Sequence, residues 1–524
     1  MPLLPVRFAH LLAASLIVAG ASDALAGSPA VVWPASAGVC STTLQACIDG
    51  VVDDSIIEIG TDIPIDEAIT LTNRSLSLVA AAGAHPRFAA GRSLTANTIG
   101  AVNGSVRLRG LAFSDGRVSY TCSGGATASL EMRDLQLTRS AGGTPAHLAV
   151  QSISGCVLDA TLEGNRIDGV PAGINSGLID LKSTGGTFNA YVAHNRIARN
   201  SAANSDGAGI FADVISLGGT GSGVLRMFAN EIRGTYNRGG IFLSEGLAST
   251  TPSHYTAAVV NNAVICTGTP GSGNGIAFVA NSGTITATTA NNTTTGCARG
   301  VFASRWSGGS ATARVNGHVW NNLVVASSEG LNFTADLTPN LQNDYNLINA
   351  PTLANTSLGA HTLSVPAGLV AAVAPRLRPG SPAINAADAL FLANVLIEYG
   401  LPLTDADGLR RTKGGGTDIG AYESGDVSAL HVASAANAVN AYITRIDLAA
   451  TNGQIGASVH ATRNYGVDGP ESSAAFGVYY EPSVWTLYHE DFSPLATGLK
   501  WNVFVPGSGS GVFTHFGTAA NTID

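Results

Sequence analysis

The sequence predicts an all-β chain: a right-handed parallel β-helix, or solenoid, followed by a small antiparallel domain of sandwich or barrel type. Three observations carry this. An asparagine recurs with a period near 30 residues, the composition suits short strands and tight turns, and the repeat stops near residue 426.

Only 12% of the 524 residues are charged, whereas glycine alone accounts for 63. Amphipathic helices need charged outer faces and are disfavoured by this mixture; short strands linked by turns are served by it. The formal net charge is −9 and no Lys/Arg-rich block occurs, so the basic footprint of a nucleic-acid binder is absent. An acid excess of this size favours solubility more than any one partner.

The repeat is marked by Asn165, Asn195, Asn230, Asn262, Asn292 and Asn322, with a looser copy at Asn346, spaced by 30, 35, 32, 30, 30 and 24 residues. Arg133-Asp134-Leu135 reads as an earlier copy. A second marker, Gly followed by an apolar residue, falls 8 to 14 positions after each Asn, at Gly173, Gly209, Gly240, Gly275, Gly300 and Gly330. A third strand-like run precedes each Asn, as at 255–260 and 311–315. Strands this short cannot bury an inner face alone, so the units must stack, about 4.8 Å apart. Stacking predicts inward columns of Ile, Val, Leu and Phe and a ladder of bonded Asn amides. The Gly is read as supplying left-handed backbone at a sharp corner. Leucine-rich repeats are excluded by the longer period, helical repeats by the frequency of Gly, Thr and Asn.

Residues 1–26 read as a signal peptide, with Arg7, an apolar stretch at 11–20 and a small-x-small site at Ala24-Leu25-Ala26. A retained anchor is the competing reading, but the apolar run is short for a bilayer. No later stretch is long and apolar enough to span, so the mature chain is expected to be secreted or displayed at the cell surface. Six cysteines in an exported chain imply three disulfides among fifteen pairings. Marker spacing pairs Cys122 with Cys156 and Cys266 with Cys297, one coil apart in each case. Cys40 and Cys47 close a loop in an N-terminal cap, where 47–79 reads as a short helix leading into the first coils.

On the Asn and Gly markers, residues 38–375 resemble the pectin-lyase-like β-helix proteins. The blocks Gly380-Ser381-Pro382-Ala383-Ile384, Asp405-Ala406-Asp407-Gly408-Leu409-Arg410-Arg411 and Thr417-Asp418-Ile419-Gly420-Ala421-Tyr422-Glu423 resemble the choice-of-anchor Q domain of bacterial surface proteins. Asn385-Ala386-Ala387 departs from that family's usual Asp-x-Gly. The resemblance implies a cap closing the solenoid over 376–424, and a secreted or surface-displayed protein without an established reaction. Residues 427–524 carry alternating aromatic runs at 476–480, 484–488 and 501–505, and are similar to an uncharacterised β domain that occurs in tandem in bacterial exported proteins. Within them His431-Val432-Ala433-Ser434-Ala435-Ala436-Asn437 is echoed by His515-Phe516-Gly517-Thr518-Ala519-Ala520-Asn521. Either a second copy begins there, or the last strand closes the domain beside the first. Closure is preferred, because unpaired edges are a liability. The organisation is thus 1–26, 27–375, 376–424 and 427–524.

Catalysis on a β-helix needs clustered carboxylates, or Ca²⁺ with a basic residue. Outward candidates are Asp180, Asp206, Asp213, Arg238, Glu245 and His254. Asp206 and Asp213 straddle Gly209-Ile210-Phe211 and are the catalytic candidates, with solvated loop charges as the competing account. The Asn-Thr-Asp, Gly-His-Gly and Arg-Ile-Lys blocks of polygalacturonases are absent. Asp405 and Asp407 offer hard oxygen ligands for Ca²⁺. Position 416, where an EF-hand has Glu, is Gly, which favours a turn with Asp on backbone amides and Arg410 or Arg411 paired with Asp418. No other cofactor is expected. Tyr479, Tyr480 and Trp485 are candidates for stacking on sugar rings, against a plain core role. His431 and His515 read as structural. No nucleophile elbow, phosphate loop or dinucleotide fingerprint occurs. The expected function is a non-catalytic surface or adhesion role with a polysaccharide or cell-surface glycan as partner. The alternative is a polysaccharide lyase or glycoside hydrolase working in the β-helix groove.

Overall fold

The computed structural model describes residues 29–505, apart from 141–146, 172–174, 200–206, 215–222, 235, 248–251, 268–272, 335–339, 379–380, 412–415, 425–426, 449–450, 452–458, 466–469 and 482–483. Residues 1–26, where a signal peptide is expected, Asp206 and the motif at 515–521 lie outside the described residues. Three parallel sheets of 12, 10 and 11 strands, here A, B and C, run the length of a solenoid. One coil comprises His254–Val260 in A, Ala263–Ile265 in B and Asn274–Ala280 in C. Equivalent residues pair from coil to coil. Ile210, Ile241, Ile276, Val301 and Leu331 form one fully buried inward column of sheet C.

The corner between sheets A and B holds the asparagines. Asn230 Oδ1 accepts from both the backbone N (3.1 Å) and Nδ2 (2.9 Å) of Asn195, while Asn230 Nδ2 donates to Asn262 Oδ1 (2.8 Å) and to the Val192 carbonyl (2.8 Å). The same arrangement runs from Asn165 to Asn346, so each side-chain amide in the file has a protein partner for both its oxygen and its nitrogen. Such fully paired networks gain strength from the low surrounding dielectric. Upstream, Leu111 and Leu135 are buried at the equivalent corner, and the Leu135 amide donates to Asn165 Oδ1. Sheet A therefore begins well before the first Asn marker, at Ala30–Trp33.

The glycine reading is corrected. Left-handed backbone belongs to the residue just before each ladder position: His194, Ala229, Asn261, Asn291, Asn321 and Tyr345 all have φ between 51° and 61°. Gly209, Gly240, Gly275, Gly300 and Gly330 instead lie inside sheet C strands. What excludes a side chain there is space. A Cβ on Gly275 would sit 2.5 Å from the Gly300 carbonyl and 2.7 Å from Thr294 Cγ2, and one on Gly209 would sit 2.6 Å from Ile232 Cγ2. The Gly column lets sheet C close against the side chains of sheet B one coil on.

The N-terminus is capped by α1 (Leu44–Gly50), which buries Leu44, Cys47 and Ile48. The Glu67 carboxylate accepts from the free amides of Leu44 and Gln45 at the helix start, where negative charge is favoured. Three disulfides join Cys40 to Cys47, Cys122 to Cys156 and Cys266 to Cys297. The last two tie corners of successive coils, a constraint of about 2–4 kcal/mol each.

The described residues of 376–424 do not close the end of the solenoid as expected. They return along its side as a strap. Helix α2 (Ala389–Glu398), N-capped by Asp388, packs Leu392, Val395 and Leu396 on Phe228, Ala258, Val260 and Ala290 of sheet A. The strap is held by the left-handed corner residues. Asn321 pairs with the Asp388 backbone, Asn291 Nδ2 donates to the Asp418 carbonyl, and Asn261 meets the Thr404 carbonyl and Arg411. Doubled asparagines thus have two separate jobs: the first anchors the strap, the second builds the ladder. The C-terminal domain is antiparallel, with a three-stranded sheet (Val427–Val432, Lys500–Val505, His460–Arg463) and a four-stranded one around buried Trp501, Leu487 and Ile446.

Asn262→Ala removes an acceptor for Asn230 and a donor for the Met227 carbonyl, all buried. It is expected to cost about 3 kcal/mol or more, read as an earlier urea midpoint. Gly275→Ala is expected to destabilise comparably through its clash with backbone that cannot yield.

Candidate functional site

The outer face of sheet C presents two neighbouring columns of side chains. One runs Asp180, Phe211, Phe242, Ala277, Phe302; the other Lys182, Asp213, Ser244, Val279, Ser304. Alternation along each strand sends these residues away from the solenoid core. Nevertheless Asp180 and Asp213 are only 8% and 7% exposed. Lys182 Nζ lies 3.2 Å from Asp180 Oδ2, while Asp180 Oδ1 is buried without a partner. Asp213 Oδ1 accepts from Ser244 Oγ (2.7 Å) and the Leu247 amide (3.3 Å).

Burial pushes the Asp180 carboxyl up to about 6; Lys182 opposes the rise and neighbouring Asp213 adds to it. Asp213 is also raised by burial, against the Ser244 and Leu247 donors and Lys182. Two carboxyls of elevated pKa beside one ammonium form a constellation able to hold or exchange a proton near neutrality. Glu245, read as an outward candidate, points instead into the corner between sheets C and A. Burial raises its carboxyl, but the donors of Ser253, Ser282 and Gly283 outweigh that and leave it below the ordinary value. It is a corner fastening. His254 is exposed at the start of its strand.

Beside the carboxyls, the Phe211 and Phe242 rings stack at 5.5 Å and 7°. Lys182 lies 5.7 Å from the Phe211 centroid, and Arg238 bridges Phe242 (5.5 Å) and Trp306 (5.1 Å). Arg299 lies 5.2 Å from Phe302 and pairs with Glu329 at 2.8 Å. Phe211 and Phe242 are covered, whereas Phe302 and Trp306 are half-buried. The face therefore opens toward its C-terminal coils.

The remaining sequence candidates separate. Asp405 is fully buried and its oxygens accept from the amides of Asp407, Leu409 and Glu423, while Asp407 pairs with Arg376. Neither is left for a cation, and no group of three or more His, Cys, Asp or Glu among the described residues is arranged to hold a metal. The expected pairing of Arg410 or Arg411 with Asp418 is corrected as well: Arg411 pairs with buried Glu423 at 2.8 Å, and the Asp418 oxygens accept from the Asn385 and Ser424 amides. Tyr479, Tyr480 and Trp485 do not share a platform. Tyr480 and Trp485 are a cross-strand pair on the core-facing side of the hairpin, whereas Tyr479 lies on the opposite face against Tyr488 (5.2 Å).

Lys182 was not singled out from the sequence. Its signal was the Asp180-x-Lys182 alternation one coil before Phe211-x-Asp213, legible only once register is known. Residues 414–505 match the model of a domain of unknown function, DUF7452, covering the end of the strap and the β domain. No curated protein and no solved structure matches the chain.

Because the folded-state pKa of Asp180 lies above the ordinary 3.8, its protonated form is the one folding favours. That contribution is full below the ordinary carboxylate range and fades as pH rises through about 6. The unfolding free energy from urea melts across this window should fall with rising pH in the native chain, by up to about 3 kcal/mol from Asp180, and fall less steeply in Asp180→Asn, where the raised Asp213 remains.

Proposed function

We propose that this chain is an exported bacterial-type protein that binds an acidic polysaccharide on the outer face of sheet C, without turning it over. The observation that carries this reading is the half-buried pair Phe302 and Trp306, with the Arg299 and Arg238 guanidiniums stacked on them. Aromatic faces suit the C–H faces of sugar rings, and guanidiniums suit carboxylates. Export is supported by the signal-peptide features at 1–26, the three disulfides, and the resemblance of 376–424 to choice-of-anchor Q segments. Kinship with pectin-lyase-like proteins, on the same markers, fits a polysaccharide ligand and belongs to this proposal.

One observation favours a second reading, in which the groove cleaves its ligand: Asp180 and Asp213 are both raised and lie beside Lys182. Calorimetric titration with polygalacturonate and a neutral glucan separates charge-dependent binding from none. Trp306→Ala and Phe302→Ala should each weaken polygalacturonate binding roughly tenfold with an unchanged unfolding midpoint. New reducing ends that disappear in Asp180→Asn and Asp213→Asn would establish the cleaving reading instead; no binding to either polymer would sink both.

A further inference from the structure

The strap is anchored on three successive coils by Asn261, Asn291 and Asn321, and it continues past the first of them. Thr404, whose carbonyl accepts from Asn261, leads into the turn 405–408, which overhangs the next coil toward the N-terminus. The left-handed corner residue of that coil is Ala229. It has no polar atom to meet the strap, although its φ of 55° is one that asparagine adopts at lower cost. Where an asparagine would reach across, a cavity of about 290 Å³ remains. Buried Ala229, Asn230 and Tyr422 form its floor, and exposed Arg196, Asp407 and Gly408 its rim, so it opens to solvent.

The charges around this cavity balance except for one. Glu231 is paired with Arg233, and both Asp407 oxygens are taken by the Arg376 fork, which lies 3.7 Å from the Tyr422 ring centroid. Arg166, the neighbour of Arg196 in sheet B, is paired with Asp168. Arg196 itself has no ion-pair partner among the described residues, although Glu231 follows it in the register. His194 lies on the same wall. Its ring meets Phe228 edge-on at 5.6 Å and makes no hydrogen bond among the described residues. Burial lowers its pKa more than Glu163 raises it, so near neutrality the ring is uncharged and offers one donor and one acceptor.

We propose that this cavity binds one small hydroxylated carboxylate, of the size and class of a single uronic acid, at a site separate from the face of sheet C. The unpaired Arg196 guanidinium takes the carboxylate in a two-bond fork. Hydroxyl groups meet His194 and the lone pairs that Glu231 and Asp407 keep after pairing, since an ionised carboxylate has about four acceptor sites. A surplus of one positive charge favours a monoanion over a neutral sugar. The volume lies near the lower end for ligand sites, roughly 300 Å³, which gives room for one sugar ring and not for an internal stretch of polymer. No residue is shared with the sheet C face, so the two sites stand or fall separately.

Titration of the full chain with free galacturonate, and with galactose as its uncharged counterpart, tests this. Galacturonate should bind saturably and roughly tenfold tighter than galactose. Arg196→Ala, at an exposed position, should weaken galacturonate roughly tenfold with an unchanged unfolding midpoint. Ala229→Asn, at a backbone position that suits asparagine, should fill the cavity and abolish binding in a chain that unfolds no earlier. Bound galacturonate should slow hydrogen exchange several-fold at 405–409 and leave 299–306 as it was. Equal affinity for the two sugars, no saturable binding, full affinity in either variant, or protection at 299–306 in place of 405–409 would each overturn the proposal.

Discussion

The corner between sheets A and B is the constraint on which the remainder of the molecule rests. A parallel coil must turn sharply there, which places one residue in the left-handed region and the next one inward, with buried amide groups that need partners. Asparagine meets that demand with its own kind. Each side chain offers two donors and one oxygen with two lone pairs, and the neighbouring coils use all of them. Because the bonds run along the solenoid axis, they also fix the register of every sheet, and with it which side chains face inward. The carboxyls and rings of sheet C owe their alignment to this distant file.

Two devices keep the solenoid from being a bare stack. Close approach of sheets B and C depends on a column of residues without Cβ, and the sheet A side is covered by a strap that carries its own charged kernel. Arg411, Glu423, Asp405 and Asp418 are all buried there and bonded to one another or to backbone. Buried ions of this sort add little net stability against apolar substitutes, but removing one partner strands the other. Their effect is to specify one seating of the strap on the corners.

Much of this was legible in the amino-acid order. Period, stacking, the Asn file and all three disulfides follow from spacing, because a solenoid converts linear intervals into contacts. The coil at Leu135 is legible through Arg133-Asp134-Leu135, whereas the one at Leu111 carries no polar corner residue to mark it, since leucine is no marker against an apolar background. The glycines misled because a missing side chain answers two different needs, unusual φ and close approach, and sequence alone does not separate them. The strap was read as a cap because its motifs announce turns and charges but not what they lie on. At the site, Asp180 and Asp213 were both visible as carboxylates. Their meeting across Lys182 depends on loop lengths between coils, which vary from one turn of the solenoid to the next.

The paired asparagines at 261–262, 291–292 and 321–322 also make the strap a gauge. Its anchors at Thr404, Asp418 and Asp388 meet successive coils whose rise is fixed at about 4.8 Å, so that stretch of solenoid has a set length. Whole coils can be gained or lost upstream of Asn165, where no such anchor falls among the described residues, without changing what the strap spans. A change in coil number is thereby least disruptive in the N-terminal half.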